Sequence, residues 1–171
     1  GLRSRDRRMP EEINRLVTDA ISDLLWTPSI DGDENLKAEG VPQEKIECVG
    51  NIMIDSYEMM RSRIEASASA AAVDLDGRKF AVVTLHRPSN VDVAANLRQL
   101  VDQLLQISAA LPLVFPVHPR TRKRLLEFGL LDALEGAPGV RLTEPLGYVD
   151  FMGLVSRCAA AITDSGGVQE E

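Results

Sequence analysis

Two rhythms of apolar and polar positions run along the chain. In PEEINRLVTDAISDLL, beginning at Pro10, residues Ile13, Leu16, Val17, Ile21 and Leu24 recur at helical spacing. A proline in the first turn and acids at the positive end of the dipole strengthen that helix. LLWTPS reads as an extended piece closed by Pro28, and DENLKAEGV as a short helix capped by Gly40. KIECVGN is a brief strand, helix formers fill about Ile52 to Val73, and DLDGRK makes a turn. From Phe80 the rhythm changes. FAVVTLH, LPLVFPVH, GVRLTEP and AAAITDSGG are short apolar runs, separated by helical stretches at about Val91 to Ala110, RTRKRLLEFGLLDAL and YVDFMGLVSR. Strands alternating with amphipathic helices predict βαβ units, hence an α/β fold with a parallel sheet covered on both faces.

Composition narrows the partners more than the fold. With 171 residues, 44% of them hydrophobic, the chain can bury a core as one domain or two small ones. Its net charge of -7 lacks the basic footprint of nonspecific nucleic-acid binding, so no nucleic-acid partner is expected. Every apolar run falls short of the ~18 residues that span a bilayer, and no membrane association is expected. The arginine-rich opening, GLRSRDRRMP, has no apolar signal-peptide core. Cys48 in IECVG and Cys158 in RCAAAI stand in apolar surroundings without metal-ligand spacing. They read as buried free thiols in a reducing, cytoplasmic compartment.

Chemistry concentrates at the strand ends. The first run ends at His86, the second at His118, the third at Glu144 and the fourth at Asp164, Ser165, Gly166 and Gly167. In open parallel sheets ligands bind beyond the carboxyl ends of the strands, so these four clusters are expected on one rim. The chain has two histidines and both fall there. Paired glycines opening a helix let the backbone approach an anion, with Ser165 adding a hydroxyl and Glu170 or Glu171 positioned to accept from a ribose. The same residues also make an ordinary helix cap and tight turn. His86 suits proton transfer or a phosphate contact, because histidine titrates near neutrality, or else it caps the strand end. His118 stands beside Arg120, Arg122 and Lys123, which add positive potential or form a solvated helix face. Glu11 and Glu12 fit the helix dipole, or offer a carboxylate for acid–base work.

Taken together, MPEEINR, GNIMID, TLHRPSN, FPVHPRTR, EPLGYVDFMGLV and ITDSGGVQEE resemble, in order and spacing, the non-hydrolysing UDP-N-acetylglucosamine 2-epimerases. The resemblance runs the length of the chain. It implies a two-domain glycosyltransferase-B-like fold built of Rossmann-like units. Residues 1–57 would be the C-terminal part of the first domain, 58–76 a connecting helix and turn, and 77–171 the first half of the UDP-binding second domain. Both ends then read as cut, with a further catalytic Asp and Glu expected before Gly1. An isolated segment of this kind would be inactive and poorly soluble, with open sheet edges.

The implied reaction inverts carbon 2 of the sugar, interconverting UDP-GlcNAc and UDP-ManNAc by UDP elimination, a 2-acetamidoglucal intermediate and re-addition. That route calls on no cofactor and no metal. Glu11 and His86 match the family's catalytic positions. Ser165, Gly166 and Gly167 match its diphosphate cradle, Glu171 its ribose-binding acid and Phe151 the place beside uracil, where a core aromatic fits equally. Arg15 and His118 match as polar UDP contacts. Leu85 stands where some members carry glycine, a subfamily difference. A homodimer is the usual assembly. A hydrolysing 2-epimerase, a UDP-sugar glycosyltransferase of the same fold and a non-catalytic UDP-sugar binding module remain as alternatives.

Overall fold

A computed structural model describes residues 1–68 and 77–170. The chain divides into two units, Gly1–Glu58 and Met59–Glu171. The first holds α1 (Pro10–Ile21), β1 (Leu25–Thr27), α2 (Ile30–Ala38), a 3-10 turn and β2 (Ile46–Cys48). Strands β1 and β2 pair in parallel, with Leu25 opposite Ile46. Their core is small: Leu25, Leu36 and Ile46, with Val41 against them. Helix α2 stops where Gly40 is expected to stop it. Gly40 takes φ +87°, its amide donates to the Lys37 carbonyl, and the Val41 amide donates to that of Leu36. These are the two bonds of a Schellman cap.

The helix read from Pro10 forms; on it Val17 is 55% and Ile21 79% exposed, and the buried residue is Glu12. One expectation for this unit needs correction. Cys48 is exposed rather than buried, because β2 turns only Ile46 into the core. Helix α3 (Ile52–Glu65) also ends earlier than its helix-forming composition suggests. The Arg157 guanidinium donates to the Glu65 carbonyl and meets one of the orphan acceptors at the helix end. The remainder of that predicted helix, and the start of the DLDGRK turn, fall on residues 69–76, outside the described residues.

The second unit contains β3 (Ala81–Thr84), α4 (Pro88–Val91), α5 (Ala94–Ser108), β4 (Leu113–Pro116), α6 (Pro119–Glu127), α7 (Leu131–Glu135), β5 (Val140–Thr143), α8 (Tyr148–Val155), β6 (Ala160–Thr163) and α9 (Gly166–Glu170). The sheet is parallel throughout, in the order β5-β4-β3-β6. Alternation along the central strands supplies both faces. Ala81, Val83, Leu113 and Phe115 pack with Leu97, Val101, Leu104 and Leu125 of the helices on one side. Val82 and Val114 pack with Leu154 of α8 on the other, where Phe151 adds its ring. Buried on both faces, these strands need continuous apolar runs, as their sequences have.

The stretch RTRKRLLEFGLLDAL forms two helices rather than one. Gly129 takes φ +65°, its amide donates to Leu126, and the Leu130 amide donates to Leu125, the same cap as at Gly40. Buried Leu125 and Leu130 supply the apolar contact that usually accompanies it. The stretch from Val91 to Ala110 is also interrupted, where Val93 is extended between α4 and α5.

Candidate functional site

Strand order decides which loops meet. The second unit runs third, second, first, fourth across its sheet, so the order reverses between β3 and β6, the switch point where α/β sheets leave a crevice for ligands. Thr84 pairs with Thr163 at the last register position, and their hydroxyls are 2.6 Å apart. Beyond that pair the HRPSN loop and the DSGG turn leave the sheet side by side.

A cavity of about 220 Å³ opens there. His86 comes to it from β3, His118 from β4, Pro145 and Leu146 from β5, Ser165 and Val168 from β6, and Phe151 from α8. The two imidazole rings are 6.4 Å apart, tilted by 50°. Such a volume is below the ~300 Å³ lower bound of ordinary small-molecule sites, enough for part of a nucleotide sugar. A larger hollow, about 750 Å³, lies at the opposite, amino ends of the strands, lined by Arg78, Lys79, Pro112 and Gly139 among others. Size does not make it the better candidate, because ligands of open parallel sheets bind outside the carboxyl ends of the strands and this hollow lies at the amino ends.

Sequence reasoning places Asp164 on the rim but misses that it organises it. The Asp164 side chain is only 8% exposed. Its carboxylate accepts from the backbone amides of His86 (3.0 Å) and Arg87 (2.9 Å) and from Asn90 Nδ2 (3.0 Å), and His86 Nδ1 stands 2.7 Å from it as an ion-pair contact. Arg87 Nε in turn donates to the Asp164 carbonyl at 2.6 Å. Burial alone would raise the Asp164 carboxyl. The Arg87 amide, the Asn90 side chain and the His86 amide outweigh it and hold the group below its ordinary value. The signal lay in the pairing of HRPSN with DSGG, which only strand order brings together.

The other predicted residues take varied positions. His118 caps α6, its Nδ1 accepting from the Arg120 amide at 3.2 Å while the ring lines the cavity. The basic residues after it do not form a free positive patch. Arg120 and Arg124 pair with Asp92, Arg122 with Glu144 and Glu135, and Lys123 with Glu127. Glu144 therefore turns to α6, and its strand contributes Pro145 and Leu146 to the cavity instead. Ser165 is half-buried, and a Cβ at Gly166 would meet nothing within 4 Å. Packing does not demand glycine at Gly166. Gly167 follows in the first turn of α9, while Glu171 lies outside the described residues.

Glu11 and Arg15 belong to the first unit, on α1. Glu11 is exposed, whereas Glu12 is 2% exposed and closes the arginine-rich loop before the helix. Its carboxylate accepts from the Ser4 amide and hydroxyl, the Arg5 amide and Arg15 Nη1. The Ser4 amide first, then the Arg5 amide, the Ser4 hydroxyl and Arg15, lower its pKa to about 2 against the opposing effect of burial.

Comparison with known proteins gives these features a family. The model of the family described as UDP-N-acetylglucosamine 2-epimerase matches residues 1–171. The chain belongs to that family. A UDP-N-acetylglucosamine 2-epimerase of Methanococcus maripaludis is 40% identical over 176 residues, covering 100% of this chain and 48% of the relative. The UDP-2,3-diacetamido-2,3-dideoxy-D-glucuronate 2-epimerase of Pseudomonas aeruginosa is also 40% identical, over 175 residues, covering 100% of this chain and 46% of its own. Among solved structures, the Methanocaldococcus jannaschii UDP-GlcNAc 2-epimerase in complex with UDP-GlcNAc and UDP superposes with a TM-score of 0.86 at 38% identity, over 99% of this chain and 48% of that one. The chain thus spans about half the length of the relatives it matches. The likeness shows the fold class, parallel-sheet Rossmann-like units of the glycosyltransferase-B-like type.

Proposed function

We propose that the whole protein interconverts UDP-GlcNAc and UDP-ManNAc without hydrolysis, and that residues 77–171 form the first half of its UDP-binding domain. Residues 1–57 are then the end of the preceding Rossmann-like domain and 58–76 the connection. The observation that carries this reading is the meeting of His86 and Ser165 on one rim of the cavity at the switch point. The solved relative holds UDP-GlcNAc and UDP.

In the proposed route the proton on carbon 2 passes to a protein base as the bond from carbon 1 to the UDP oxygen breaks. UDP departs with that electron pair and leaves the 2-acetamidoglucal. Protonation of carbon 2 from the other face and re-addition of UDP at carbon 1 complete the inversion. Glu11 is assigned to proton transfer, and His86 to proton transfer at the phosphate side. Ser165, Gly166 and Gly167 are assigned to the diphosphate, whose departing charge their amides stabilise. Phe151 flanks the uracil, Glu171 takes the ribose, and Arg15 and His118 add polar contacts.

A second reading of the substrate has the support of one relative. The P. aeruginosa relative, at the same 40% identity, is named for a diacetamido glucuronate rather than for GlcNAc. One experiment addresses both. The full-length protein is incubated in heavy water with each UDP-sugar, and products are followed by NMR. Epimer carrying deuterium at carbon 2, without accumulation of free UDP, identifies the substrate. Net release of UDP and free sugar replaces the reading with hydrolysis, and no exchange with either sugar ends it.

A further inference from the structure

We infer that Asp164 is the positioning residue of the site: its carboxylate fixes the tautomer of His86 so that Nε2 presents a lone pair towards the cavity. This deepens the proposed function and rests on it for the identity of the substrate.

Three donors bind the carboxylate, two successive backbone amides and the Asn90 side chain, and His86 Nδ1 stands against it at 2.7 Å. An ionised carboxylate offers about four lone-pair positions, so none is left for a ligand. Asp164 therefore acts through His86 and does not touch the substrate. An ionised carboxylate can only accept, so a ring nitrogen held 2.7 Å from it carries the hydrogen rather than a lone pair, which puts the hydrogen on Nδ1. In the neutral ring Nε2 then has no proton. It can take one from a ligand and, as imidazolium, return it.

His118 carries the opposite assignment. Its Nδ1 accepts from the Arg120 amide, so Nε2 of that ring holds the hydrogen and is a donor when neutral. Two imidazoles 6.4 Å apart on one cavity are thereby wired differently, one as acceptor and one as donor, each by its partner on the sheet edge. The charged and titratable groups facing His86 are Asp164 from β6, His118 from the β4 end and Arg87 of its own loop, whose Nε is held by the Asp164 carbonyl. The amide bonds to the loop also hold the backbone on which the ring is mounted, so one side chain sets both position and protonation pattern.

Nitrogen-15 histidine NMR on the full-length protein tests the assignment directly. The expected result is His86 protonated at Nδ1 and bare at Nε2 in its neutral form, with His118 reversed. A His86 that carries its hydrogen on Nε2 overturns the inference and needs no variant. Asp164→Asn is expected to lower kcat by about 10²–10⁴-fold, with KM changed less than about threefold, and to shift the His86 signals towards the other tautomer. Asn90→Ala loosens the same loop without touching the ring, and is expected to lower stability while the His86 tautomer and most of kcat survive. If Asn90→Ala costs as much kcat as Asp164→Asn with the tautomer unmoved, Asp164 is only a loop tie and the inference fails. Absence of turnover by the unaltered protein would defeat the substrate reading alone, since the NMR result is independent of any sugar.

Discussion

Glu12 in the first unit and Asp164 in the second are the same device put to different ends. Each is a buried carboxylate that accepts two successive backbone amides, of Ser4 and Arg5 or of His86 and Arg87, and so ties down a loop. Their remaining acceptor positions differ. Glu12 completes its set with the Ser4 hydroxyl and the Arg15 guanidinium, which has no proton to exchange near neutrality. Asp164 completes its set with Asn90 and an imidazole that lines a cavity. A carboxylate clasp closed by arginine orders a loop; one closed by histidine also dictates which ring nitrogen is free.

The largest effect is expected where the clasp meets chemistry. His86→Gln keeps a side-chain amide able to donate to Asp164, so the loop stays while the proton-transfer group is lost. A fall of about 10²–10⁴-fold in kcat of the full-length protein, measured by coupled UDP-sugar turnover, is expected. Glu12→Gln removes the charge that gathers four donors, and the urea midpoint of unfolding should fall while the His86 nitrogen-15 signals stay put. A change in those signals would mean that the two clasps are not independent.

Acid separates the two more finely. The Glu12 carboxyl is depressed from its ordinary 4.5 to about 2, so the stability it confers is complete above about 4.5 and is lost as pH falls through about 2. Asp164, also depressed, contributes fully above 3.8 and loses its contribution as pH falls through its lower folded value. Circular dichroism of wild type and Glu12→Gln across that window should show the variant's melting temperature less dependent on pH. The smallest effect is expected at a cap: Gly129→Ala places a Cβ at φ +65° in open space, and strain alone should cost about 1 kcal/mol in urea unfolding.

Much of this architecture was legible in the residues. The four runs contain the four strands of the second sheet; central β3 and β4, buried on both faces, are continuously apolar, while edge strands β5 and β6 are partly exposed. Gly40 was legible as a helix end, yet Gly129, which makes the same two hydrogen bonds, was not. Its flanks, LLEF and LLDA, continue the helical apolar pattern, whereas Gly40 is followed by Val41 and Pro42. The periodicity of α1 was read rightly as a helix, but periodicity reports which face is apolar and not whether anything covers it, and Val17 and Ile21 are exposed. At the site, His86, His118 and Ser165 were named from their positions at strand ends and Phe151 from the family resemblance, and they line one cavity. Glu144 was expected beside them but is drawn to Arg122, an ion pair that strand-end position does not encode.

The sequence by itself determined the alternation of elements, the clustering of polar residues at strand ends and the family, all of which depend on neighbours within a few positions or on motif order. Tertiary structure alone decided that Asp164 meets His86, 78 residues away, and therefore which imidazole nitrogen bears the proton. That choice depends on β6 lying next to β3, and strand adjacency follows from how the whole sheet buries its two faces rather than from any local run of residues.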